Sequence, residues 1–123
     1  MTKVVHALVL LVSFCASPSY AQLLTPTWLV GTWTVISDED GTPPDFADFT
    51  VDGKYINHGF NCTVRSEMPF HIYNGDVYIT AEVPGKGPIA MVFRPSQDKK
   101  TLTFTSPRTR HNAVMAQVAK HCN

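Results

Sequence analysis

The chain has 123 residues, ten Lys or Arg against ten Asp or Glu, and a formal net charge of zero. That balance excludes a nucleic-acid binder, which needs a basic face. The length is that of one domain once any leader is removed.

The first 21 residues read as a cleavable secretory leader. Lys3 gives a positive n-region, Val4 to Phe14 an apolar run of eleven, and Ser19-Tyr20-Ala21 a small-x-small site before Gln22. Eleven apolar residues fall short of the roughly 20 that span a bilayer, and no second such run follows, so no membrane span is expected. The single Lys and the cleavage site suggest a bacterial leader and a periplasmic or secreted product. Residues 22–123 would then form the mature domain. Such a chain buries roughly 60–68% of the surface its unfolded form exposes, which gives a modest core. Removal of the leader discards Cys15 and leaves Cys62 and Cys122. In an oxidising compartment these pair with each other or with another molecule. A Cys62–Cys122 bridge is the expectation, and the loop it closes is worth about 4 kcal/mol in the chain-entropy model.

Gly and Pro cut the mature chain into short β-rich pieces. The first strand is Thr32 to Ile36. Asp38 to Asp45, with adjacent Pro43 and Pro44, can only be a loop. Phe46 to Val51 and Lys54 to His58 flank Asp52-Gly53, read as a two-residue type I′ turn. Cys62 to Met68 is a fourth strand, stopped by Pro69. Phe70 to Tyr73 and Asp76 to Val83 flank Asn74-Gly75, the strongest hairpin signal in the chain. Ile89 to Arg94 and Thr101 to Ser106 complete a count of eight. Alternation puts Val77, Ile79, Ala81 and Val83 on one face, Phe70 and Ile72 opposite His71 and Tyr73, and Leu102 and Phe104 opposite the threonines. Strands at this spacing predict an antiparallel up-and-down barrel.

After Ser106 the period changes. Ser106-Pro107 looks like a helix N-cap and first position. Val114, Met115, Val118, Ala119 and Cys122 fall on one helical stripe, with Lys120 and His121 at its C-terminal end. The expected fold is therefore all-β with a C-terminal helix, tied to the sheet through Cys122.

Gly31-Thr32-Trp33, at the mouth of the first strand, resembles the Gly-x-Trp signature of lipocalins and smaller bacterial lipocalin-like domains. The resemblance implies a barrel closed at one end by the tryptophan, with an arginine near the last strand packed on it. Arg108 is the best match and Arg110 the second. So short a barrel suits a packed interior or a small ligand better than a large lipid.

Two functions follow as expectations. The first is a monomeric, non-enzymatic binding protein for a small apolar ligand, walled by Trp33, Phe49, Tyr55, Phe70, Ile79 and Phe93. The second is a periplasmic inhibitor or immunity protein that binds another protein through Asp38, Glu39, Asp40 and Asp45. Six acids and no base lie between Gln22 and Gly53, whereas seven bases and one acid lie between Lys86 and Asn123. Either these ends meet and neutralise each other, or the acidic loop faces a basic partner.

No cofactor or metal is expected. His58, His71, His111 and His121 lack ligand spacing, and Asp38, Asp40, Asp45 and Asp48 do not match an EF-hand loop. Catalytic patterns are missing too: no nucleophile elbow, no triad around Ser37, Ser66, Ser96 or Ser106, and only Glu67 and Glu82 as a conceivable carboxylate pair. Asn61-Cys62-Thr63 fits a glycosylation acceptor.

Overall fold

A computed structural model describes residues 25–63 and 66–122. Eight strands close into one antiparallel barrel in sequence order: β1 (Gly31–Asp38), β2 (Phe46–Phe49), β3 (Lys54–Gly59), β4 (Ser66–Tyr73), β5 (Asp76–Val83), β6 (Gly87–Pro95), β7 (Thr101–Thr105) and β8 (Asn112–Val118). The leader and its cleavage site lie outside the described residues. No described helix is long and apolar enough to cross a membrane.

The count of eight agrees with the sequence, but its composition differs. The fourth and fifth expected strands are one, β4, and it carries Pro69 internally. Pro69 pairs with Lys54 of β3 on one side. On the other side the β5 register starts only at Phe70↔Ile79, so the missing N–H falls where that ladder begins.

The eighth strand is the expected helix. Residues 112–118 pair with β7 from Thr105↔Asn112 to Thr101↔Ala116, and with β1 from Asp38↔Ala113 to Thr32↔Val118. A helix there would leave β1 and β7 with open edges; β8 satisfies both ladders at once. The capping signal was locally sound, since Thr109 N donates to Ser106 Oγ and Arg110 N to the Ser106 carbonyl. The turn ends there because Arg110 sits at φ 65°, which reverses the chain.

One hairpin differs as well. Asn74 and Gly75 both take positive φ, as a type I′ turn requires. Of Asp52 and Gly53 only the glycine does, at φ 87°. The connection there is a four-residue loop over Thr50 to Gly53, closed by Thr50 N to the Lys54 carbonyl at 2.9 Å. The second strand accordingly stops at Phe49.

The interior follows the predicted alternation. Trp33, Phe49, Val77, Ile79 and Leu102 are almost wholly buried. Each such side chain gains about 2 kcal/mol or more by leaving water. Phe49 organises the ring packing, edge-on to Trp33, Phe70 and Phe93. Residues 25–30 plug the end where β1 begins: Leu29 is fully buried, and Trp33 Nε1 donates to its carbonyl at 2.9 Å. The cation expected over Trp33 is absent from that end. Arg108 and Arg110 are exposed in the β7–β8 loop, at the opposite end of the barrel, because β8 runs between them and Trp33. At the plugged end Lys99 instead lies 5.4 Å over the Trp28 ring.

Candidate functional site

The end of the barrel away from Trp33 is not filled. A cavity of about 230 Å³ opens there. Its floor comes from inward positions of the later strands: Met91 and Phe93 on β6, Phe104 on β7, and Ala113 and Met115 on β8, with Tyr55 from β3. Tyr55, Phe93 and Phe104 form a chain of tilted rings, with centroids 5.8 and 5.5 Å apart. Its rim is polar, with Asp38 from the end of β1, Asp40, Thr42 and Asp45 from the β1–β2 connection, Asn57 from β3, and Ser106 and His111 from the β7–β8 connection.

The rim is knitted between two loops. Asp40 takes His111 Nδ1 at 2.6 Å and the Thr109 hydroxyl at 2.8 Å. Glu39 is spent on the same loop: its carboxylate accepts from Asn112 N at 2.6 Å, and its own N–H donates to the Asn112 carbonyl at 3.1 Å. Asp38 accepts from the Asp40 amide and the Thr42 hydroxyl. The His111 hydrogen bond, seconded by Thr109, holds the Asp40 carboxyl below its usual range. Burial pushes the Tyr55 hydroxyl up, opposed by the Asn57 hydrogen bond and reinforced by the charge of Asp45. So the acidic β1–β2 segment meets the later part of the chain at this rim, through Thr109, His111 and Asn112.

The expected ligand wall divides. Tyr55 and Phe93 line the cavity. Trp33, Phe49 and Ile79 belong to the packed core, and Phe70 is partly buried against it, because they lie nearer the plugged end. Asp38, Asp40 and Asp45 reach the rim and Glu39 does not. Met91, Phe104 and Met115 were missed as wall residues. For Phe104 the signal was there, in the alternation that put it on one face with Leu102, and for Met91 it lay in the two-residue spacing to Phe93; Met115 was masked by the helical reading.

A second polar cluster lies on the outer wall. Asp48 of β2 bonds His58 Nε2 at 2.8 Å and accepts from the Thr32 hydroxyl of β1. His58 is nevertheless 5% exposed, and its Nδ1 has no partner among the described residues. The C-terminal tail runs close by. His121 stacks on Phe46 at 4.1 Å, and Cys122 bonds Cys62, so the tail passes beside Gly59, the residue after His58. The expected disulfide thus ties down a strap, not a helix.

Of the remaining candidates, Glu67 is ion-paired with Lys54 at 3.0 Å, and His71 stacks on Tyr78 on the outer face. Among the described residues no three His, Cys, Asp or Glu side chains converge to hold a metal. Neither a family model, nor a curated protein, nor a solved structure matches the chain.

Proposed function

We propose that this chain is an exported, non-enzymatic binding protein that takes a small apolar ligand into the mouth of its barrel. The observation that carries this reading is the cavity itself: about 230 Å³, with an aromatic and thioether floor under a polar rim. Drug-sized ligands occupy roughly 300–1,000 Å³, so the fitting molecule is smaller, of one or two rings. The Gly31-Thr32-Trp33 resemblance to lipocalins points the same way. The Cys62–Cys122 bridge supports export, since such bonds persist in oxidising compartments.

The alternative, a periplasmic inhibitor that engages a basic protein through the acidic loop, has less to stand on. Glu39 and Asp40 are already committed to the β7–β8 loop. A partner would have to displace those bonds.

The test is a titration of the mature chain with indole, followed by amide chemical shifts. Changes are expected at Tyr55, Met91, Phe104 and Met115, and Ala113→Leu should weaken them by filling the floor. Absence of any shift at millimolar indole, with the wild-type barrel intact, overturns the reading.

A further inference from the structure

We propose that the edge of β6 around Ala90 takes up an extended, carboxylate-bearing peptide of another protein as an added strand. This surface is separate from the small-ligand reading and does not rest on it.

The seam between β6 and β7 is only partly closed. β6 pairs with β5 from Val83↔Gly87 to Val77↔Phe93, but with β7 only at Phe93↔Phe104, Arg94↔Thr103 and Pro95↔Leu102. The sequence stops the second ladder. Its register, continued, sets Pro107 opposite Ala90, and a proline has no N–H to give. The chain after β7 also turns away. Ser106 N donates to the His111 carbonyl and Arg110 N to the Ser106 carbonyl, each at 2.9 Å. Ser96 N donates to the Thr101 carbonyl at 2.9 Å, so Ser96 faces β7. Backbone groups alternate between the two edges of a strand. Counting back by twos from Ser96, the Ala90 amide and carbonyl and the Pro88 carbonyl point to the β7 side, where no strand of the described residues pairs with them. Both residues are exposed. An open edge of this kind is a template for another strand, and Pro88 guards only its start: Ile89, Ala90, Met91 and Val92 carry no charge.

Space flanks the seam on both faces. Outside lies a groove of about 310 Å³, lined by Ala90, Val92, Arg94, Thr103, Thr105 and Pro107. Inside, Met91 and Phe104 border the mouth. A strand laid against Ala90 would send alternate side chains to the two faces, apolar ones inward and the others along the groove. Arg94 is the charged residue of that groove, and its contact with Asp76 is long, at 3.8 Å. Lys86, just before the edge, and Arg108, just after Pro107, are exposed as well. Glu82 is the acid of the same hairpin, opposite Pro88 on β5. This excess of cations favours carboxylates on the incoming strand. It also disfavours a second copy of this chain: two β6 edges paired antiparallel about Ala90 would set Arg94 opposite Lys86 at both ends, and like charges directly opposed destabilise a strand pair.

The experiment uses three acetylated, amidated seven-residue peptides: Thr-Val-Glu-Val-Glu-Val-Thr, the same with lysine for glutamate, and the glutamate peptide N-methylated at alternate residues. Binding to the mature chain is read at low salt from amide shifts and from hydrogen exchange at Ala90. The glutamate peptide should slow exchange of the Ala90 amide and bind roughly fivefold tighter than the lysine peptide, as exposed charge pairs allow. Arg94→Gln should shrink that preference. N-methylation, which removes the backbone donors on one edge of the peptide, should weaken binding at least about tenfold in one of its two phases. Ala90→Pro should block binding by removing the edge amide, while the β5 ladder, which uses the other edge, keeps the barrel folded. Unchanged exchange at Ala90 with millimolar glutamate peptide overturns the proposal, and so does equal binding of both methylated phases and the unmethylated peptide. A lysine peptide that binds as tightly overturns the carboxylate assignment. Protection of Ala90 that grows with protein concentration and no peptide assigns the edge to a second copy and overturns the proposal. None of these results touches the indole titration, whose readout includes Tyr55 and Met115.

Discussion

Asp48 and His58 meet at 2.8 Å on the outside of the barrel, yet the histidine is buried. This strand position, which alternation assigns to solvent, is interior, and the chain's own tail runs near it, with His121 stacked on Phe46 of the neighbouring strand. Removing the carboxylate leaves a buried N–H without an acceptor, which costs about 2 kcal/mol. Asp48→Ala should therefore lower the melting temperature by roughly 10 °C. Adding His58→Leu should recover much of that loss, since the stranded polar group goes with it. A double mutant no more stable than Asp48→Ala would show that the pair is not a unit.

The strap has its own test. Cys62→Ser or Cys122→Ser should cost up to about 4 kcal/mol, because the bridge joins residues 60 apart in sequence. The same loss should follow reduction of the wild type by a dithiol. In either case the His121 ring should leave Phe46, read from the ring-current shifts of both. A melting curve identical with and without reductant would rule out a stabilising bridge.

How much of this was legible in the sequence follows from the range of each signal. Alternation is local, and it put Val77, Ile79 and Leu102 inward as found. Turn chemistry at Asn74-Gly75 is local too. What failed was non-local. Val114, Met115 and Val118 fit the helical period, whereas alternation puts Met115 on the face opposite Val114 and Val118, and only the open edges of β1 and β7, some 80 and 10 residues away, decide for a strand. Which inward residues pack and which line a void depends on their height along the barrel axis. That height is set by strand register, and the register is not written in any one strand. So Trp33 and Phe93 looked alike as wall residues, although one is sealed under Leu29 and the other borders the cavity.

Gly31 is a narrower case of sequence serving geometry. It takes φ 135°, and a Cβ built there would stand 2.5 Å from Gln117 Nε2. That amide donates to the Val30 carbonyl at 2.7 Å, joining the start of β1 to the end of β8. Gly31→Ala should destabilise by about 1–3 kcal/mol through backbone strain and the displaced amide together. Pairing it with Gln117→Ala relieves the clash but not the strain, so a partial loss should persist in chemical denaturation. Full recovery in the pair would assign the whole cost to the clash.

The bond from His111 to Asp40 makes the rim sensitive to acid. Asp40 is held below its ordinary value of 3.8, by the His111 hydrogen bond first and the Thr109 hydroxyl second. A carboxyl lowered in the folded state stabilises fully above its unfolded value and loses that contribution as pH falls through the folded one. The window is therefore below about 3.8, where the unfolded chain binds the proton first. Over that range the junction between the β1–β2 and β7–β8 loops should loosen before the barrel melts, because the β8 ladders do not depend on it. Hydrogen exchange at the Glu39 amide, which is bonded across the junction, should accelerate ahead of amides in β5 and β6. Asp40→Asn should remove that early acid step and leave the later, global transition in place. If the Glu39 amide and the β5–β6 amides lost protection together in the wild type, the two loops would be part of the barrel's single cooperative unit, and the mouth would have no acid response of its own.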